Sequence, residues 1–82
     1  MKTHKVVKVD WIDSTNYRGW RDADKLKDAE PSKCTSCGIL VKVKRGNIGV
    51  SHSTADNADI ADTIVISRRA IKKIEVLTTF KA

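Results

Sequence analysis

The period of its apolar residues constrains this chain most: it is two over most of the length and 3.6 over no long segment. Neighbouring side chains of a strand point to opposite faces, so alternation marks a half-buried strand. Lys5–Ile12 sets the pattern, with Val7, Val9 and Trp11 on one face and Lys8 and Asp10 on the other. That run stops at Asp13-Ser14-Thr15-Asn16, whose side chains bond their own backbone and favour a turn. Thr35–Arg45 alternates again, with Cys37, Ile39, Val41 and Val43 on one side and Leu40, Lys42 and Lys44 on the other. Arg45-Gly46-Asn47 reads as a turn, because Gly and Asn tolerate positive φ. Ile48–Ser53 then returns as the second strand of a hairpin.

The rest of the chain continues the theme. Thr54–Asp62, polar and carrying three aspartates, reads as a loop, and Thr63–Ser67 as a β-branched strand buried on both faces. A tight turn at Ser67-Arg68-Arg69-Ala70 leads into a last strand over Ile71–Leu77, with Ile71, Lys73, Glu75 and Leu77 on one side. The tail to Ala82 is expected to fray. One helix is predicted, over Arg21–Ala29: Asp22 or Asp24 caps it, Trp20, Ala23, Leu26 and Ala29 lie about one turn apart, and Pro31 ends it. The fold class that follows is mostly β (α+β), one domain over residues 1–82. Its expected form is a small five-stranded barrel with one short helix inserted after the first strand.

With 5% aromatic residues, the core must come from Val, Ile and Leu, and 82 residues leave a thin stability margin. Association with other copies would relieve that shortage, so a homo-oligomer is expected. No stretch reaches the roughly 18 apolar residues of a membrane span, and no signal-peptide apolar core follows the first residues. A cytoplasmic location, with Cys34 and Cys37 as reduced thiols, is the expectation.

Sixteen Lys and Arg against ten Asp and Glu give a formal charge of +6, with a pI near 9.6. Such an excess favours phosphate-bearing partners. Three groups of residues suit them. Tyr17 and Trp20 lie among Arg18 and Arg21, an arrangement in which a ring stacks a nucleobase while a guanidinium takes a phosphate. Lys42, Lys44 and Arg45 share the hairpin, and Arg68, Arg69, Lys72 and Lys73 crowd the last turn, so either set can make a phosphate-binding rim. Ser14, Thr15, Asn16, Thr35 and Ser36 add hydroxyls and an amide at strand ends. The competing reading of these groups is structural: Trp11 in the core, Trp20 stapling the helix to the barrel, and lysines guarding a sheet edge.

Catalysis and metal binding have weaker sequence support. Cys34-x-x-Cys37 would need two more ligands for zinc, with only His4 and His52 available, and it opens a strand rather than the helix of a redox dithiol. Both thiols are therefore read as packing cysteines, with no metal and no cofactor. His52 beside Ser51 and Ser53 is not read as a base with its nucleophile, since strand neighbours point to opposite faces. No nucleophile elbow, phosphate-binding Gly-rich loop or useful carboxylate pair is present.

Two resemblances extend this reading. The segment Ile39–Leu77, with its hairpin and its Ile64-Val65-Ile66-Ser67…Ala70-Ile71-Lys72-Lys73-Ile74 strand pair, is similar to the second half of Sm-like barrels. There a one-turn 3₁₀ linker joins the last two strands, and Ser67–Ala70 sits at that place. The chain departs from Sm proteins in placing its helix between the first and second strands, and it lacks the Asp-Gly and Asn pattern of the Sm RNA site. Trp11-Ile12-Asp13-Ser14, Gly19-Trp20, Cys34-Thr35-Ser36-Cys37-Gly38 and Ile66-Ser67-Arg68-Arg69-Ala70-Ile71 resemble motifs of small phage and prophage accessory proteins. That resemblance implies a viral protein acting in the host cytoplasm, and makes capture of a nucleotide signal, as in anti-defence, a candidate role. The expectation is a non-catalytic protein that binds a nucleotide, a cyclic oligonucleotide or nucleic-acid phosphate. The alternative is a protein-interaction module that inhibits a host protein through a sheet edge or helix face.

Overall fold

The computed structural model describes residues 2–82. Five strands form one antiparallel sheet: β1 (Thr3–Asp13), β2 (Ser32–Lys42), β3 (Ile48–Thr54), β4 (Ile60–Ile66) and β5 (Ile71–Lys81), in the order β4-β3-β2-β1-β5. The alternation of β1 does what its sequence implies. Val7 and Val9 are wholly buried, and Trp11 is half-buried on the same face.

β2 decides the shape. Its first part pairs with β1, from Ser32 to Ile39, and its last part with β3, from Ile39 to Lys42. Ile39 alone lies in both ladders, opposite Val6 on one side and Ser51 on the other. The strand bends here because residue 38 is glycine: a β-carbon on Gly38 would lie 2.4 Å from the Ser51 carbonyl oxygen and 2.9 Å from Val50 Cγ1. β3 crosses closer than any side chain at that position permits. The inward face of β2 therefore differs from the sequence reading. Cys34, Ser36, Gly38 and Leu40 are half-buried and Cys37 is exposed, while Ile39 is buried at the crossing. Leu40 packs on the core with Trp11, Ile48, Ala70 and Ile71.

The bend brings the sheet's two edges toward each other. Val7 and Val9 of β1 join Val50 of β3 and Ile66 of β4 in a single cluster. Four residues, 67–70, then carry the chain from β4 at one edge to β5 at the other. Their backbone makes one tight turn, in which the Ala70 N–H donates to the Ser67 carbonyl (2.9 Å) and the Ile71 N–H to the Arg68 carbonyl (3.4 Å). Ile12 N–H donates to the Ala70 carbonyl and ties the turn to the end of β1. The sheet is curled but not closed, since β4 and β5 do not pair with each other.

Four further expectations are corrected. The helix is one turn, α1 (Ala23–Leu26), capped by the Asp22 carboxylate on the Asp24 N–H; four residues cannot sustain more without a face to dock on. Trp20 is fully exposed and staples nothing. β4 starts at Ile60 and is not buried on both faces: Ile64 and Val65 are exposed on what is an edge strand. The tail does not fray, for β5 runs to Lys81 and Ala82 exchanges both backbone hydrogen bonds with Lys2.

Candidate anion-binding site

The β1–β2 ladder runs from Asp13↔Ser32 to Val6↔Ile39 and stops there, although both strands continue. β1 goes on with β5, as far as Thr3↔Lys81, and β2 with β3, as far as Lys42↔Ile48. Because they follow different partners, the two strands part as a fork. A cleft of ≈ 580 Å³ lies in it, walled by 3–5 of β1, 40–43 of β2 and its exit, and the turn 44–48. That volume falls within the usual range for small-molecule sites.

Lys5, Lys42, Lys44 and Arg45 line the fork together with His4 and Asn47, and among the described residues no Asp or Glu lines it. Leu40, Val41, Val43 and Ile48 give it an apolar wall. The cations are held close by an unusual turn. Lys44–Gly46 is a 3₁₀ turn in which Arg45 (φ 63) and Gly46 (φ 74) both adopt left-handed backbone. Positive φ thus falls on Arg45 and Gly46, not on Asn47 (φ −66) as the turn composition suggests. Asn47 instead contributes its side chain, whose oxygen accepts from the Arg68 N–H (3.2 Å). This bond brings the β4–β5 link to the hairpin. A β-carbon on Gly46 would lie 3.4 Å from Arg68 Cδ, so the Arg68 side chain runs beside the turn as a fifth cation. At the β1 wall, the His4 ring stacks on Phe80 with centroids 5.2 Å apart.

The predicted site residues do not form one site. Lys42, Lys44 and Arg45 meet in the fork, and Arg68 stands beside it. Arg69 and Lys72 are exposed and do not line the fork; Lys73 faces Glu75 at 3.9 Å in an open ion pair. Ser14 and Tyr17 line a separate cleft of ≈ 300 Å³ with Pro31. Tyr17, Trp20 and Arg21 line another of ≈ 280 Å³, in which the Arg21 guanidinium lies over the Tyr17 ring at 5.5 Å. Arg18 is exposed on the same linker. This linker leaves β1 at Asp13, roughly 25 Å along the strand from Lys5 at about 3.3 Å per residue. Ser36 is not a free ligand group, because its hydroxyl accepts the Trp11 Nε1–H (3.0 Å) in a half-buried hydrogen bond. Thr35 is likewise engaged, donating to Asp10 Oδ1 (2.9 Å).

Residues 3–5 were invisible as site residues in the sequence. Their place depends on the β1–β2 register, and only the basic character of Lys5 pointed toward them. Two other expectations also change. His52 Nδ1 and Ser53 Oγ lie 2.9 Å apart, although neighbours on a strand normally diverge, and both are exposed. Cys34 and Cys37 are both free, and Cys37, being exposed, is not a packing residue. Among the described residues, no group of three or more His, Cys, Asp and Glu could hold a metal ion, and no helix is long and apolar enough to cross a membrane. No family model, curated protein or solved structure matches the chain.

Proposed function

We propose that this chain is a non-catalytic binding protein whose fork captures a nucleotide-type ligand through its phosphate. One observation carries the reading: four Lys and Arg side chains line a single cleft that has an apolar wall and, among the described residues, no carboxylate. Cations without local counter-charge favour an anion, and the apolar wall suits the face of a base or the carbons of a sugar. In this reading Lys42, Lys44 and Arg45 hold phosphate oxygens, Arg68 adds charge from the link, and Leu40 and Ile48 pack on the ligand's apolar part. The curled sheet with its one-turn link before β5 supports a small barrel of Sm-like type, completed only when its open edges are covered. The resemblance of its motifs to those of phage accessory proteins favours a nucleotide signal as the ligand, captured in the host cytoplasm to blunt a defence response.

Native mass spectrometry on protein stripped of nucleic acid tests this, using mono-, di- and cyclic nucleotides and short oligonucleotides at low salt. The expected result is a nucleotide adduct that Lys44→Glu with Arg45→Glu strongly reduces at the same ligand concentration. Absence of any adduct across the panel would overturn the reading, and would leave the alternative in which a sheet edge engages a host protein.

A further inference from the structure

Phosphate capture leaves the backbone of the fork unused. Beyond Val6↔Ile39, residues 3–5 of β1 pair with β5 alone and residues 40–42 of β2 with β3 alone. Among the described residues, no strand therefore pairs with the sides of β1 and β2 that face each other across the gap. Each side presents a short row of backbone N–H and C=O groups, and His4, Leu40 and Val41 within these rows are half-buried. Backbone groups on a free strand edge are a template for another strand. The gap is also longer than the fork alone. A second cleft, of ≈ 300 Å³, shares Thr3, His4, Leu40, Val41 and Lys42 with it and reaches Ala58 and Ile60 at the head of β4. The two clefts together run from the turn 44–48 past the inner strand edges to β4, a course that suits an extended chain.

Hydrogen-bonding chemistry and charge narrow the occupant. A phosphate group offers strong acceptors, so it satisfies N–H groups but leaves the C=O groups of a strand edge without donors. Another peptide backbone supplies both, at the spacing of the strand itself. Lys2, Lys5, Lys42, Lys44 and Arg45 line the two clefts, and among the described residues no Asp or Glu does. Carboxylates are therefore the side chains that the gap favours. Leu40 and Val41 form an apolar wall in both clefts. Because side chains alternate along a strand, a peptide with apolar residues between acidic ones meets the cations and this wall together.

We infer that the fork takes an extended segment of another protein, in which acidic and apolar residues alternate, as an added strand on the inner edges of β1 and β2. These two strands are antiparallel to each other, so the added strand runs parallel to one and antiparallel to the other. The inference goes beyond phosphate capture and does not depend on it: the cations serve either ligand, whereas the strand edges serve a peptide.

Fluorescence polarisation on the full chain tests it, with a short, capped and labelled peptide of alternating Asp and Val. This peptide is expected to bind, and one of alternating Lys and Val to bind at least about tenfold more weakly. N-methylation of alternate amides removes backbone donors and keeps every side chain. Of the two Asp–Val peptides methylated in one register or the other, at least one is expected to lose about tenfold or more in affinity. Amide hydrogen exchange is expected to slow at residues 3–5 and 40–42 when the Asp–Val peptide is bound. Failure of that peptide to bind at about 1 mM would overturn the inference. So would equal binding of the methylated and unmethylated forms, or protection confined to the outer edges on β4 and β5. A nucleotide adduct on a chain that ignores the peptide would overturn this inference alone and leave phosphate capture standing.

Discussion

The fork and the linker 14–31 both carry cations beside apolar groups, yet only the fork is built as a site. The linker holds Arg18, Arg21, Lys25 and Lys27, but Asp22, Asp24, Asp28 and Glu30 lie among them and offset their charge. Its only regular structure is the single turn of α1, and its residues are exposed apart from Leu26. Among the described residues the fork carries no carboxylate, and its cations stand on strands whose ladders fix their direction, or on a turn held by the Asn47–Arg68 hydrogen bond. The number of cations alone therefore does not distinguish them. What distinguishes them is a backbone that other strands hold in place and the exclusion of counter-charge from it.

The most severe way to break the comparison is to remove the framework from one region only. Gly38→Ala would drive a methyl group into the Ser51 carbonyl oxygen and Val50. It is expected to destabilise the fold by roughly 3 kcal/mol or more, measured by urea unfolding. The fork would be lost with the fold, whereas fully exposed Trp20 should keep its water-like fluorescence throughout.

Next in size is reversal of charge in each region. Lys44→Glu with Arg45→Glu is expected to weaken a phosphate ligand by about 10- to 100-fold, or roughly 1.4–2.8 kcal/mol. The matching change, Arg18→Glu with Arg21→Glu, should alter affinity by less than about threefold, since the linker offers the ligand no fixed partner. Titration calorimetry at fixed salt compares them; equal losses would show that both regions bind.

The two tryptophans sharpen the contrast further. Trp11→Phe removes the Nε1–H that Ser36 accepts on the half-buried face, with an expected loss of about 1 kcal/mol in thermal or urea unfolding. Trp20→Ala, at a position touching nothing that holds the fold, should stay within about 0.5 kcal/mol of the parent.

These contrasts mark where the sequence was readable. In β1, Val7, Val9 and Trp11 alternate with Lys8 and Asp10, and the structure buries the expected Val7 and Val9. The hairpin β2–β3 and the tight turn 67–70 were legible for similar reasons, since turn residues and strand period are local properties. β2 misled because Ile39 and Leu40 are both apolar, so parity alone could not say which face turns inward; the bend at Gly38 decides it. β4 misled because a β-branched run looks the same in the middle of a sheet and at its edge. Of the site, Lys42, Lys44 and Arg45 were found because they are neighbours in sequence, whereas His4 and Lys5 were not.

The sequence by itself determined that this is an antiparallel β chain with a basic hairpin, because side-chain period, turn chemistry and charge are carried by adjacent residues. Only the tertiary structure decided which cations share a cleft and which strands become edges. Those outcomes depend on where the β1–β2 ladder ends and on how closely β3 passes Gly38, and both are contacts between residues distant in the chain.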